Sequence, residues 1–310
     1  MRTLHRMRVF TLAIMFAVPL FALAQDQPQV LGFAPSFTDR PLTAVPNGAA
    51  MRTRIWAPRL DDGWVSQGVA VGDGALWIAA YQSTDPRQDT GPCRVFKVDP
   101  RDGGLAGQFD LPAACGHAGG IAHTGDRFLY VVDSHHLFRI DTRAALAAGR
   151  CVDLACSTLP LRGSLRGAFL GYANHALWLG EWIGAGKGEG HLWRIAEDKV
   201  LAIISGSGGV LDDKAADKVL AIAAQSQGAA IAPDGTLWLT QSSSTFGRLQ
   251  QIDKDSGRVM QQFALPAGVE DIEFAPDGTL WAVSEAGSRR WSAWSTFFPL
   301  VFSLDVGAVR

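Results

Sequence analysis

Five times along the chain, a short apolar run, a tight turn and a second apolar run bearing Trp or Tyr follow one another. Ser226 to Thr240 reads SQGAAIAPDGTLWLT, and Asp271 to Val283 reads DIEFAPDGTLWAV. Gly68 to Ala79 (GVAVGDGALWIA), Gly120 to Val131 (GIAHTGDRFLYV) and Gly167 to Leu179 (GAFLGYANHALWL) vary the same theme. The runs are short and rich in Val, Ile, Leu and Trp, as half-buried strands are. Asp234-Gly235 and Asp277-Gly278 predict primed hairpin turns, because glycine tolerates positive φ and a primed turn matches strand twist. A third run follows each hairpin: CRVFKVD from Cys93, HLFRID from His136, HLWRI from His191, RLQQID from Arg248 and LVFSLD from Leu300. Most of these alternate apolar with polar residues at period two. A fourth run closes two repeats almost identically, GQFDLP at 107–112 and QQFALP at 261–266.

Four antiparallel strands recurring every few tens of residues predict an all-β chain folded as a single β-propeller of four-stranded blades. The aromatic anchors of the second strands are Trp77, Tyr130, Trp178, Trp238 and Trp281, which gives five blades. The longest spacing, from Trp178 to Trp238, has a cause. Asp198-Lys199-Val200-Leu201-Ala202-Ile203 recurs as Asp217-Lys218-Val219-Leu220-Ala221-Ile222. We read this as a tandem duplication inside the third blade, placed as a surface excursion. The last repeat stops after its third strand, at Asp305, while TRIWAPRL at 53–60 precedes the first blade where a fourth strand would lie. The N-terminal strand is therefore expected to complete the last blade and close the ring, which removes an open sheet edge.

Before the propeller domain, assigned to 53–310, come two further segments. Residues 1–24 read as a secretory signal peptide: Arg2, Arg6 and Arg8, an apolar core from Val9 to Phe21, and Ala22-Leu23-Ala24 as a cleavage site. Its apolar core is too short for a stable membrane span, and no other run is long enough for one. Residues 25–52 are expected to run extended against the ring or as a tether. Cleavage takes the formal charge from −2 to −5 through the loss of three arginines. That balance argues against a nucleic-acid partner, which calls for a basic face. The expected location is periplasmic or secreted. Four cysteines in an oxidising compartment predict two disulfides, Cys93–Cys115 across one face of the first blade and Cys151–Cys156 locally.

In this topology the innermost strands start, and the second strands end, on one face. Side chains at those points converge on the channel mouth. They include Gln67, His117, Arg166, Gln227, Glu270 and Asp271 at the starts, and Tyr81, Asp133, Glu181, Trp182, Gln241 and Glu285 at the ends. Gln67, Tyr81, Asp133, Glu181, Gln227, Gln241 and Asp271 are the candidate ligand contacts. His117, Glu270 and Glu285 are the candidate catalytic residues if the protein is an enzyme. Carboxylates facing one mouth raise one another's pKa or attract a cation, which makes Ca²⁺ or Mg²⁺ a candidate cofactor. The long aromatic loop from Arg289 to Phe298 (RRWSAWSTFF) falls on the same face. Exposed, it would cost much hydrophobic free energy, so it is expected to pack under the N-terminal segment or to form a wall for a ligand.

The Asp-Gly-x-Leu-Trp repeats, each followed by an x-x-Ile-Asp strand, resemble the propellers of gluconolactonases and senescence-marker lactonases. They are also similar to NHL-type repeats and to streptogramin (virginiamycin B) lyases. The resemblance spans residues 53–305 and implies the propeller architecture. Lactonases of that kind are six-bladed and hold a divalent metal with a Glu, an Asn and an Asp at inner-strand starts. The matching places here are Ser66-Gln67-Gly68, Ala118-Gly119-Gly120 and Ser226-Gln227-Gly228, and none carries the ligand. The lyases use a His at an inner-strand start with a nearby Glu. Glu270 takes the His place, while Glu285 follows Trp281 much as the lyase Glu follows its Trp. The expected function is recognition of a small molecule, glycan or protein at the mouth without catalysis. The alternative is a metal-assisted lactone hydrolase or a carbon–oxygen lyase.

Overall fold

The computed structural model describes residues 29–152, 155–206 and 209–310; residues 1–24, read from the sequence as a signal peptide, lie outside them. The chain is a five-bladed β-propeller. Blade 1 comprises Trp64–Gly72, Ala75–Gln82, Cys93–Val98 and Leu105–Asp110, from axis to rim. Blade 2 comprises Gly120–His123, Phe128–Asp133, His136–Asp141 and Cys156–Pro160. Blade 3 is built from Phe169–Ala173, Ala176–Gly180, Gly190–Ala196 and Lys218–Ile222, and blade 4 from Ser226–Ile231, Leu237–Ser242, Gly247–Ile252 and Val259–Leu265. Blade 5 takes Val269–Phe274, Leu280–Ser284 and Leu300–Leu304 from the C-terminal end of the chain.

The ring closes as the pattern predicts. Met51–Trp56 pairs antiparallel with Leu300–Leu304, Ile55 opposite Val301, and so supplies the outer strand of blade 5. A two-residue strand, Val30–Leu31, then adds in parallel outside it. Apolar residues from neighbouring blades form the core between them. One cluster joins Trp77, Phe109 and Phe138, and another joins Trp238, Leu280, Phe298 and Phe302.

Two local expectations are corrected. The Asp234-Gly235 and Asp277-Gly278 turns are not of the primed type, because only Gly235 (φ 85) and Gly278 (φ 84) have positive φ. Pro233 and Pro276 precede the aspartates and hold φ near −65°, which a primed turn forbids. The primed hairpins are instead Asp73-Gly74 and Asn174-His175, where both residues have positive φ. The duplicated hexapeptide is not a plain surface excursion. Its first copy lies in the helix Glu197–Ser205 and buries Val200 completely among Leu177, Trp193 and Leu211. Its second copy is the outer strand of blade 3, with Leu220 and Ile222 buried in alternation. Glu197 and Asp198 at the helix start favour the helical form through the macrodipole. Pairing with Gly190–Ala196 decides the strand form of the second copy.

The axis is narrow because the inner strands pack backbone against backbone. A Cβ on Gly68 would come within 2.8 Å of Ile121, and one on Gly228 within 2.7 Å of the Asp271 Cα. Further along the axis a cavity of about 30 Å³ is lined by Ile121, Leu170, Ala229, Ile272 and Glu273, room for about one water molecule.

Candidate functional site

The mouth is shaped by a shared irregularity. The pairing register slips between Ser66 and Gly68, between Ser226 and Gly228, and between Val269 and Ile272. Each slip is a bulge that leaves extra residues outside the ladder and re-aims a side chain. The residues released are Gln67, Gln227 and the pair Glu270-Asp271. Three blades thus deliver polar side chains to one end of the channel.

Glu285 lies just beyond the second strand of blade 5, on the face where the inner strands start. Its Oε2 accepts from Gln67 Nε2 at 2.9 Å and from the indole Nε1 of Trp291 at 2.6 Å. Glu270 lies within hydrogen-bonding reach of Glu285 and accepts from Gln227 Nε2 at 3.2 Å. Burial raises both carboxyls above the ordinary range. Repulsion from Glu285 and Asp271 adds to the rise at Glu270. Donors from Trp291 and Gln67 oppose the rise at Glu285. Both carboxyls are thus biased toward their protonated forms, Glu270 the more strongly, and the two titrate as a pair.

His117 stands over this pair through Gln67. Its Nε2 lies 2.9 Å from Gln67 Oε1, and its Nδ1 lies 2.5 Å from the Asp89 carbonyl. Gln67 Oε1 is an acceptor because its amide nitrogen serves Glu285. Two acceptors thus face one imidazole, and the neutral ring can donate to only one of them. Burial lowers the pKa of His117, while the Asp89 carbonyl opposes that shift. The ring stacks on Tyr81 at 4.5 Å, and the Tyr81 phenol accepts from Arg290. The backbone of this loop is fixed by Asp133, whose Oδ2 accepts from Gly116 N at 2.7 Å and His117 N at 3.0 Å. The Cys93–Cys115 disulfide tethers the same loop, with a Cα separation of 5.9 Å; Cys151–Cys156 is formed as well.

Five of the ten site residues meet in this constellation: Gln67, His117, Gln227, Glu270 and Glu285. Tyr81 borders it through His117 and Arg290, and Asp133 supports it from behind. Asp271 turns away from the mouth and reaches across the axis, where its Oδ2 accepts from Ile121 N at 3.2 Å while Oδ1 is buried without a partner. Glu181 is paired with His191 at 2.8 Å. Gln241 is held by Arg248 at 2.9 Å and by the Ala224 carbonyl at 2.7 Å.

Sequence reasoning missed the direct roles of Arg290 and Trp291. The density of aromatics in their loop was visible, but no spacing rule says which of them reaches Glu285. The loop is strapped down by the N-terminal segment, one of the two placements the sequence left open. Arg40 donates to the carbonyls of Ser292, Trp294 and Ser295 at 2.7, 3.0 and 3.0 Å, while Phe297 N donates to Thr43 Oγ1 at 2.8 Å and the Phe297 carbonyl accepts from Thr43 N at 2.9 Å. Trp291 and Trp294 stack at 4.6 Å.

A divalent cation fits this donor set poorly. Among the described residues, no three His, Cys, Asp or Glu side chains come together as a metal site requires. Glu285 is committed to Gln67 and Trp291, Glu270 to Gln227, and His117 to Gln67 and Asp89. We derive no step through a metal.

No family model matches the chain, and no curated protein matches it. Solved structures do. A glutaminyl cyclase from Myxococcus xanthus is 12% identical with a TM-score of 0.51, over 82% of this chain and 94% of that one. An aldose sugar dehydrogenase from Streptomyces coelicolor is 13% identical with a TM-score of 0.45, over 77% and 94%. A gluconolactonase from Xanthomonas campestris is 16% identical with a TM-score of 0.42, over 82% of each chain. At these identities the likeness is one of propeller fold.

Proposed function

We propose that this chain is an exported β-propeller that binds a small molecule, glycan or protein at its channel mouth, without catalysis of its own. The observation that carries this reading is the buried network of Gln67, Glu285, Glu270 and Gln227. It draws polar groups from three blades to one point beneath Trp291. A few convergent polar groups beside aromatic rings are the usual make-up of a ligand site. The engaged state of Glu285 and His117 favours recognition over turnover, since both already spend their hydrogen bonds within the protein. Export is supported by the signal-like first 24 residues and by two disulfides.

The test is a thermal-shift screen of the purified protein against sugars, amino acids and small peptides. A true mouth ligand should lose at least about tenfold in affinity, or 1.4 kcal/mol, in Gln67→Ala and in Glu285→Gln. Lys254→Ala on the opposite face should leave its affinity unchanged. Ligands whose affinity ignores both mouth variants would refute the reading.

A second reading is an acid–base enzyme. The one observation that favours it is the pair of buried, coupled carboxyls Glu270 and Glu285, both raised above the ordinary range, since such pairs can supply both an acid and a base. Turnover of a lactone, an elimination substrate or an N-terminal glutaminyl peptide that is abolished in Glu270→Gln would establish it.

A further inference from the structure

The mouth is already filled, and by side chains of its own aromatic loop. Trp291 places an indole N–H on Glu285 Oε2, and Arg290 places its guanidinium on the Tyr81 phenol and, at 3.3 Å, on the Pro86 carbonyl. The guanidinium also lies 4.1 Å from the Trp291 ring. Arg290 is 5% exposed, so a guanidinium is buried at the mouth, next to the tryptophan that donates to Glu285. The fit is incomplete: Arg290 Nε is buried without an acceptor. A buried guanidinium with an unpaired N–H is costly, and its persistence marks a place shaped for a cation more than for this particular one. The loop that supplies both groups has no regular secondary structure from Arg289 to Pro299. It is held from outside by Arg40, whose three carbonyl contacts lie among exposed groups, and by Arg289, which donates to the Asp61 carbonyl at 2.8 Å.

We propose that the 289–296 loop is a built-in stand-in for the ligand, and that the ligand is a cation bearing N–H donors, of the arginine side-chain type, which displaces Arg290 and Trp291 from Tyr81 and Glu285. This rests on the mouth being the binding site and adds the class of molecule it takes. The ligand must supply what the loop withdraws: a cationic donor for Tyr81 and a donor for Glu285. A neutral ligand could replace the indole donor to Glu285 but not the guanidinium on Tyr81. Arg40 acts as the latch. A latched loop lowers the apparent affinity by the fraction of molecules in which it is open.

The experiment compares acetyl-arginine amide with acetyl-citrulline amide, its neutral isostere, by calorimetry on the full-length mature chain, on Arg40→Ala and on Trp291→Phe. The expected result is at least about tenfold tighter binding of the arginine probe. Affinity should rise several-fold in Arg40→Ala and in Trp291→Phe, the latter freeing Glu285 without altering it. Hydrogen exchange at 290–296 should quicken on binding, while exchange in Ala75–Gln82 stays slow. Equal affinity for the two probes, or no binding of either in any of the three proteins, overturns the proposal. If a neutral glycan binds instead and is lost in Gln67→Ala, the cation inference fails and the mouth reading stands. If the arginine probe binds equally well in Glu285→Gln and Gln67→Ala, both fail.

Discussion

Asp271 and Glu273 are carboxylates used to finish the inside of a ring. Innermost strands have no partner on their axial side, so their backbone N–H groups there need acceptors. Asp271 reaches Ile121 N at 3.2 Å and Glu273 reaches Val71 N at 2.7 Å, each crossing to another blade. Burial pushes both carboxyls well above their ordinary pKa. Asp271→Asn retains an oxygen for Ile121 and should cost little. Asp271→Leu leaves a buried N–H without an acceptor and should cost about 1–3 kcal/mol in urea unfolding. The pH dependence has a definite sign. Glu270, Asp271 and Glu273 hold their protons more tightly folded than unfolded. Their stabilising effect is complete below the unfolded pKa, about 4, and is lost as pH rises through the folded values. Relative to wild type, Glu270→Gln should therefore grow more stable as pH rises from about 4 toward 8, by at most about 1.4 kcal/mol per pH unit. A difference constant with pH would show that Glu270 is not protonated in the native mouth.

At the scale of elements, what was legible in the sequence was local. Strand alternation, the Trp anchors and the cysteine positions place four strands per repeat and both disulfides, because each depends on neighbours within one hairpin or one blade. What was not legible depends on distant partners. No local signal says that Gln67 and Gln227 leave the ladder, since a bulge is fixed by the strand opposite. The hexapeptide DKVLAI is helix throughout at 198–203, whereas in its second copy 218–222 is strand, the same letters read two ways by their surroundings. His175 is a further case: it occupies a left-handed position (φ 53) where glycine is usual, beside Glu197 at 3.4 Å. His175→Gly should therefore be neutral or stabilising, by up to about 1 kcal/mol in thermal unfolding, unless the Glu197 contact outweighs the backbone term. The Cys93–Cys115 bridge closes a 22-residue separation. Replacing both cysteines with alanine should cost about 2–4 kcal/mol and should shift the His117 titration in NMR, because the bridge holds the loop that carries it.

For the whole molecule, closure is the decisive contact. Blade 5 is assembled from both ends of the chain, and its outer strand buries Ile55 against the cluster containing Val301. Removing residues 29–56 should expose Leu300–Leu304 as an uncharged edge. The truncated protein is expected to lose cooperative unfolding and to aggregate in light scattering, whereas adding a synthetic peptide of residues 51–60 should partly restore the cooperative transition. Ile55 and Val301 are separated by nearly the whole length of the propeller domain, which also sets a schedule. Of the strands of the five blades, a chain made from its N-terminus releases Met51–Trp56 first and Leu300–Leu304 last. The earliest strand must wait, unpaired, until the final blade exists. Until that moment the other four blades form an open arc that cannot yet present a mouth. The ring thus reports its own completion: only a chain delivered through Leu304 can close the ring that brings Glu285, Gln67 and His117 to one point.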